Sequence, residues 1–181
     1  LVIDLTKPVV TEMKTPVTGQ YNLEDSNVLT INVKFDEAVY VTGEPKLNLS
    51  NDQDATYVSG SGSQELVFEY TVLEDATGNS NSTDLQVVSW NLTGAAIKDV
   101  NGNNFVEARL DLSNNGPVLI DAQRAEIVSI RAPSRSPGYN LETGTNTIVI
   151  SVEFNEDVSV VNNSGNGSLE PQNYPQLVLN A

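Results

Sequence analysis

The chain has 181 residues, 39% of them apolar, which is enough to build one sandwich-sized core or one and a half. Asp and Glu number 24 against 9 Lys and Arg, a net charge of −15, so phosphate backbones and anionic lipid surfaces are repelled and nucleic acid is excluded as a partner. Cys and His are both absent; disulfides, thiolate or imidazole zinc sites and Ser-His-Asp triads are therefore out, and no catalytic or cofactor-binding residue is expected. No apolar run approaches the roughly 20 residues that cross a bilayer, so direct membrane insertion is not expected. The acidity fits a solvated surface or carboxylates gathered around hard cations such as calcium.

In chain order the pattern is that of short strands, near 8–16, 28–35, 44–50, 54–59, 64–73, 85–92 and 105–112. Leu29, Ile31, Val33 and Phe35 alternate with polar residues, as do Leu66, Phe68, Tyr70 and Val72, and then Val106, Ala108, Leu110 and Leu112. A period of two marks a strand with one face buried. Loops rich in Gly, Asn and Ser separate these runs, as in Ser59-Gly60-Ser61-Gly62-Ser63 and Asn101-Gly102-Asn103. Trp90, the single tryptophan, lies in a strand with Val87, Val88 and Leu92 and reads as a core aromatic.

The chain also repeats itself. Tyr21-Asn22-Leu23-Glu24 returns as Tyr139-Asn140-Leu141-Glu142, and Ile31-Asn32-Val33-Lys34-Phe35-Asp36-Glu37 returns as Ile150-Ser151-Val152-Glu153-Phe154-Asn155-Glu156. Pro45-Lys46-Leu47-Asn48-Leu49 returns as Pro175-Gln176-Leu177-Val178-Leu179, and Ile3-Asp4 returns as Ile120-Asp121. The order and spacing describe a tandem array with a period near 117, one β-sandwich repeat over residues 1–117 and the N-terminal part of a second over 118–181. The counterpart of residues 52–115 is missing from the second copy, so the chain is expected to be a piece of a longer protein. It is also expected to leave the apolar face of Ile148, Ile150, Val152 and Phe154 uncovered.

The succession Val33-Lys34-Phe35-Asp36-Glu37-Ala38-Val39, Val41-Thr42-Gly43-Glu44-Pro45-Lys46-Leu47, Ala55-Thr56-Tyr57-Val58-Ser59-Gly60-Ser61-Gly62, Leu66-Val67-Phe68-Glu69-Tyr70-Thr71-Val72 and Ile97-Lys98-Asp99-Val100-Asn101-Gly102-Asn103 resembles the bacterial Ig-like, cadherin-like tandem repeat of large extracellular surface proteins and adhesins. The resemblance implies an all-β, Ig-like Greek-key β-sandwich at the bacterial cell surface. It implies a structural or adhesive role without enzymatic activity, with calcium stiffening the joints. The partners it implies are neighbouring repeats of the same chain and a cell-surface or glycan receptor. A carbohydrate-binding module of a secreted enzyme is the alternative.

One position breaks the binary pattern. Glu37 shares the inward phase of Phe35 and Val39, and Glu156 shares that of Phe154 and Val158. Either the strand ends there and Glu37 accepts backbone N–H bonds, or Glu37 is a calcium ligand. In an Ig-like sandwich the loop after the second strand, the loop before the last strand and the incoming linker meet at one pole; here they carry Asp36 and Glu37, then Asp99, Asn101 and Asn103, then Asp4. These residues offer the hard oxygens that calcium takes, so Asp4, Asp36, Glu37, Asp99 and Asn101, with Asp121 and Glu156 as counterparts in the second copy, form the candidate calcium (Ca2+) ligand set. Glu24, Asp25, Glu74, Asp75 and Asp84 gather at the opposite pole, where either a bridging cation or a solvated hinge is expected.

Overall fold

A computed structural model of the chain describes residues 4–15, 19–24, 27–75, 77–107, 112, 116–131 and 149–158. Among these residues there is no helix. The strands are β1 (Val10–Lys14), β2 (Gly19–Tyr21), β3 (Val28–Thr42), β4 (Lys46–Leu49), β5 (Asp54–Ser59), β6 (Ser63–Thr71), β7 (Val87–Asn91), β8 (Ala96–Lys98), β9 (Val118–Ile120), β10 (Ile127–Arg131) and β11 (Ser151–Phe154). The chain divides into two compact units, Leu1–Arg124 and Ala125–Ala181.

The first unit is a curled antiparallel sheet of sandwich type, in the order β1-β3-β6-β5-β4-β7. Strands β4, β5 and β6 follow one another through tight turns, and β3 lies beside β6, which is a Greek key. Gly60 permits the β5–β6 turn: its φ is +109°, and a Cβ there would lie 2.0 Å from the carbonyl oxygen of Glu65.

The curl comes from β3. Up to Lys34 it pairs with β6 in unbroken register, but the ladder then passes from Lys34↔Glu65 to Val39↔Ser63. Phe35–Ala38 therefore stand opposite Gln64 alone, forming a broad bulge that bends the strand. Beyond it, Tyr40–Thr42 leave the main ladder and pair with β8. One long strand thus contributes to two layers. Glu37 sits in this bulge and is partly buried, while Phe35 and Val39 on either side are fully inside.

Alternation decides what fills the core. Leu29, Ile31, Val33 and Phe35 of β3 are buried with Leu66, Phe68 and Tyr70 of β6, Leu47 and Leu49 of β4, Ile97 of β8, and Val118 and Ile120 of β9. A chain of edge-on aromatic rings runs through it: Phe35–Phe105 at 5.8 Å, Phe105–Trp90 at 4.9 Å, Trp90–Phe68 at 5.8 Å and Phe68–Tyr57 at 5.9 Å.

The expected strand near 105–112 starts differently. Phe105, not Val106, is the inward residue, and Val106 makes a single parallel bridge to Val9. Residues 108–111 lie outside the described residues. The three-residue strands β2 and β9, which alternation does not announce, pair in parallel. Val118–Ile120, given to the second copy by the repeat spacing, therefore joins the first unit. The second unit contains the antiparallel pair β10–β11; Ile148 of the expected open face lies outside the described residues.

Candidate metal centre

Three chain segments reach the site, and each is fixed locally. Asp4 precedes β1, and its Oδ1 accepts the Thr6 N–H at 2.9 Å and the Thr6 hydroxyl. The incoming segment is tied to the bulge of β3: Val9 N–H donates to Asp36 Oδ1 at 2.8 Å, and Asp36 N–H donates to the Val9 carbonyl at 3.0 Å. Val106 N–H donates to the Pro8 carbonyl at 2.8 Å, which holds the other side of this segment. Asp36, expected among the ligands, thus gives one carboxylate oxygen to the backbone of the segment that carries Asp4.

Asp99 closes β8 and opens the turn Asp99–Asn103, in which Asp99 N–H donates to the Asn103 carbonyl at 3.0 Å. Its Oδ1 accepts the N–H groups of Asn101 and Asn103, both at 2.8 Å, and its Oδ2 accepts Asn103 Nδ2 at 2.7 Å. Asn101 Nδ2 donates to Asp4 Oδ2 at 2.8 Å, and Asn103 Nδ2 donates to the Asp4 carbonyl at 3.3 Å. Asp99 is buried, and Asp4 and Glu37 are half-buried.

One carboxylate oxygen from each of Asp4, Glu37 and Asp99 lies within 4.8 Å of the other two. Among the described residues no ion pair reaches any of the three. The electrostatics record the crowding. Burial, then the charges of Asp99, Asp4 and Asp36, push the Glu37 carboxyl above its usual range. For Asp99 burial acts upward, but the hydrogen bonds from Asn103, Asn101 and Gly102 together outweigh it and leave the carboxyl below its usual range. The Thr6 hydroxyl and N–H lower Asp4.

Oxygens bound to calcium at about 2.3–2.6 Å can be at most about 5 Å apart. Three oxygens within 4.8 Å therefore fit around one such ion. Three carboxylates, the Asp4 carbonyl and the amides of Asn101 and Asn103 supply hard donors only, which suits calcium and gives a soft metal no preferred ligand.

The remaining expected ligands fall elsewhere. Asp121 ends β9 in the first unit; its N–H donates to the Tyr21 carbonyl at 2.9 Å and its Oδ1 accepts the Gln123 N–H at 3.3 Å, the same local turn that Asp4 makes with Thr6. Glu156 follows β11 in the second unit and is partly buried.

At the opposite pole sequence reasoning overlooked Arg124, which donates to Glu24 at 2.8 Å and to Glu74 at 3.0 Å. No periodic signal marks it, since it lies in an irregular segment. Asp75 accepts bonds from Thr77 and Ser80, which hold its carboxyl down at about 2. Asp25 lies outside the described residues. Trp90 is buried between Phe68 and Phe105 and presents no surface for stacking a sugar ring.

No protein-family model, curated protein or solved structure matches the chain.

Proposed function

We propose that this chain is a non-catalytic structural and adhesive module of a long bacterial cell-surface or secreted repeat protein, stabilised by calcium at the pole formed by Asp4, Glu37 and Asp99. The observation that carries this reading is the convergence of three carboxylates, from segments far apart in sequence, to within 4.8 Å. Among the described residues no cation offsets their repulsion. A fold that only needed solubility would spread such charges over its surface.

Bound calcium supplies the missing positive charge. Asp4 then ties the incoming segment to the bulge through Glu37 and to the β8 turn through Asp99, so the ion links three segments otherwise joined by single hydrogen bonds. The internal repeat supports the spacer role, because a module recurring along one chain needs stiff, regular ends more than it needs a cleft. The neighbouring repeats are the immediate partners, and a surface or glycan receptor lies beyond them.

Titration calorimetry of the full chain with calcium tests this. Binding is expected with a dissociation constant of about 10⁻⁴–10⁻³ M, the range of extracellular calcium modules. Asp99→Asn and Glu37→Gln should each weaken it at least about tenfold. Absence of binding well above that range would remove the metal from the account.

A further inference from the structure

The pair β10–β11 repeats β1–β3 position by position. Ile127, Ser129, Ile130 and Arg131 face Phe154, Glu153, Val152 and Ser151, with a bulge after Ile127. In the first unit Val10, Glu12, Met13 and Lys14 face Phe35, Lys34, Val33 and Asn32, with a bulge at the same place. The clamp beside it recurs as well. Glu126 N–H donates to Asn155 Oδ1 at 2.8 Å and Asn155 N–H to the Glu126 carbonyl at 3.0 Å, as Val9 and Asp36 do.

The difference lies in what covers the pair. In the first unit the far edge of β3 is taken by β6, and Val10, Met13 and Val33 are 9%, 2% and 0% exposed. Their counterparts Ile127, Ile130 and Val152 are 57%, 52% and 39% exposed. No stretch of residues 125–181 matches β6 in sequence; Pro175–Leu179 matches Pro45–Leu49, which includes β4, a strand that has no ladder with β3.

Charge specifies the occupant further. On the outward face of the first unit Lys34 lies between Glu12 at 3.3 Å and Glu65 of β6 at 3.8 Å. In the second unit that central position is Glu153, which pairs with Arg131 at 3.1 Å and accepts the Ser129 hydroxyl at 2.8 Å. The sign is reversed.

We propose that the open edge of β11 is a strand-docking site. Its occupant is an extended polypeptide segment of β6 chemistry, antiparallel to β11, with alternate apolar residues beside Val152 and Phe154 and a Lys or Arg facing Glu153. A second copy of β11 fits poorly, because antiparallel self-pairing sets two Glu153 side chains on one face of a short ladder.

The test appends the segment Ser63–Val72 to the full chain through a flexible Gly-Ser linker, once with Glu65→Lys and once with the native Glu65. Tethering holds the strand at an effective concentration in the millimolar range. Hydrogen exchange at Ser151–Phe154 and the sedimentation mass are read for both and for the chain without the added strand. The Lys version should remain monomeric and slow exchange about fivefold more than the Glu version, and Glu153→Lys should invert that preference. Unchanged exchange with either strand, equal protection by both, or a dimer of the unextended chain with β11 already protected would overturn the proposal.

Discussion

At Glu37, burial and three neighbouring carboxylates all act against the charged form. Its folded-state value lies above the ordinary 4.5, so the folded chain holds this proton more tightly than the unfolded chain does. Its contribution to stability is then fullest below that ordinary value and is lost as pH rises through the folded one. Asp4 and Asp99 run the other way: both are lowered from 3.8, so they stabilise above that value and lose the effect as pH falls through their folded values. Glu37→Gln should therefore raise the melting temperature near neutral pH in chelator and flatten its decline above pH 4.5. Scanning calorimetry across pH would show this. Asp36 is a different case, because its side chain secures Val9. Asp36→Ala should lose about 1 kcal/mol of stability, measured by urea unfolding. The candidate site was legible in Asp4, Glu37 and Asp99 because repetition and loop order both pointed to one pole. The clamp by Asp36 was not, since nothing in a sequence distinguishes a carboxylate that caps a backbone from one that faces an ion.

Among the elements, those with four or more alternating residues were readable and the shorter ones were not. The runs Leu29–Phe35 and Leu66–Tyr70 have the period of two over their whole length, and both lie in the central strands. Strands β2, β8 and β9 have three residues each, too few for a period to emerge. The bulge at Phe35–Ala38 was hidden for another reason. Phe35 and Val39 are both inward, so the pattern reads as one regular strand, and only the partner strand reveals the extra residues. Phe105 escaped because it is held by its rings rather than by a ladder. The aromatic chain ties β3, β5, β6 and β7 to the segment after β8. Trp90→Ala should break it at its centre and cost about 3–5 kcal/mol, a large share of the roughly 5–15 kcal/mol of a domain. Denaturant unfolding of the variant, read by far-ultraviolet circular dichroism, would measure that loss.

For the molecule as a whole, the repeat and the acidic pole form one account. A chain of net charge −15 stays soluble, but it must also manage like charges where loops converge. At one pole Arg124 does this for Glu24 and Glu74; at the other, the proposed calcium does it for Asp4, Glu37 and Asp99. At a calcium concentration ten times the dissociation constant, binding to the folded state alone adds about 1.4 kcal/mol. For a domain of this size that corresponds to a shift of roughly 5 °C in melting temperature. The most direct measurement is the melting temperature of the full chain in millimolar calcium and in chelator, for the native sequence and for Glu37→Gln. The account predicts that calcium raises the melting temperature of the native chain and that Glu37→Gln removes most of that rise. Identical melting of the native chain in calcium and in chelator would contradict it and leave the acidic pole as solvated surface.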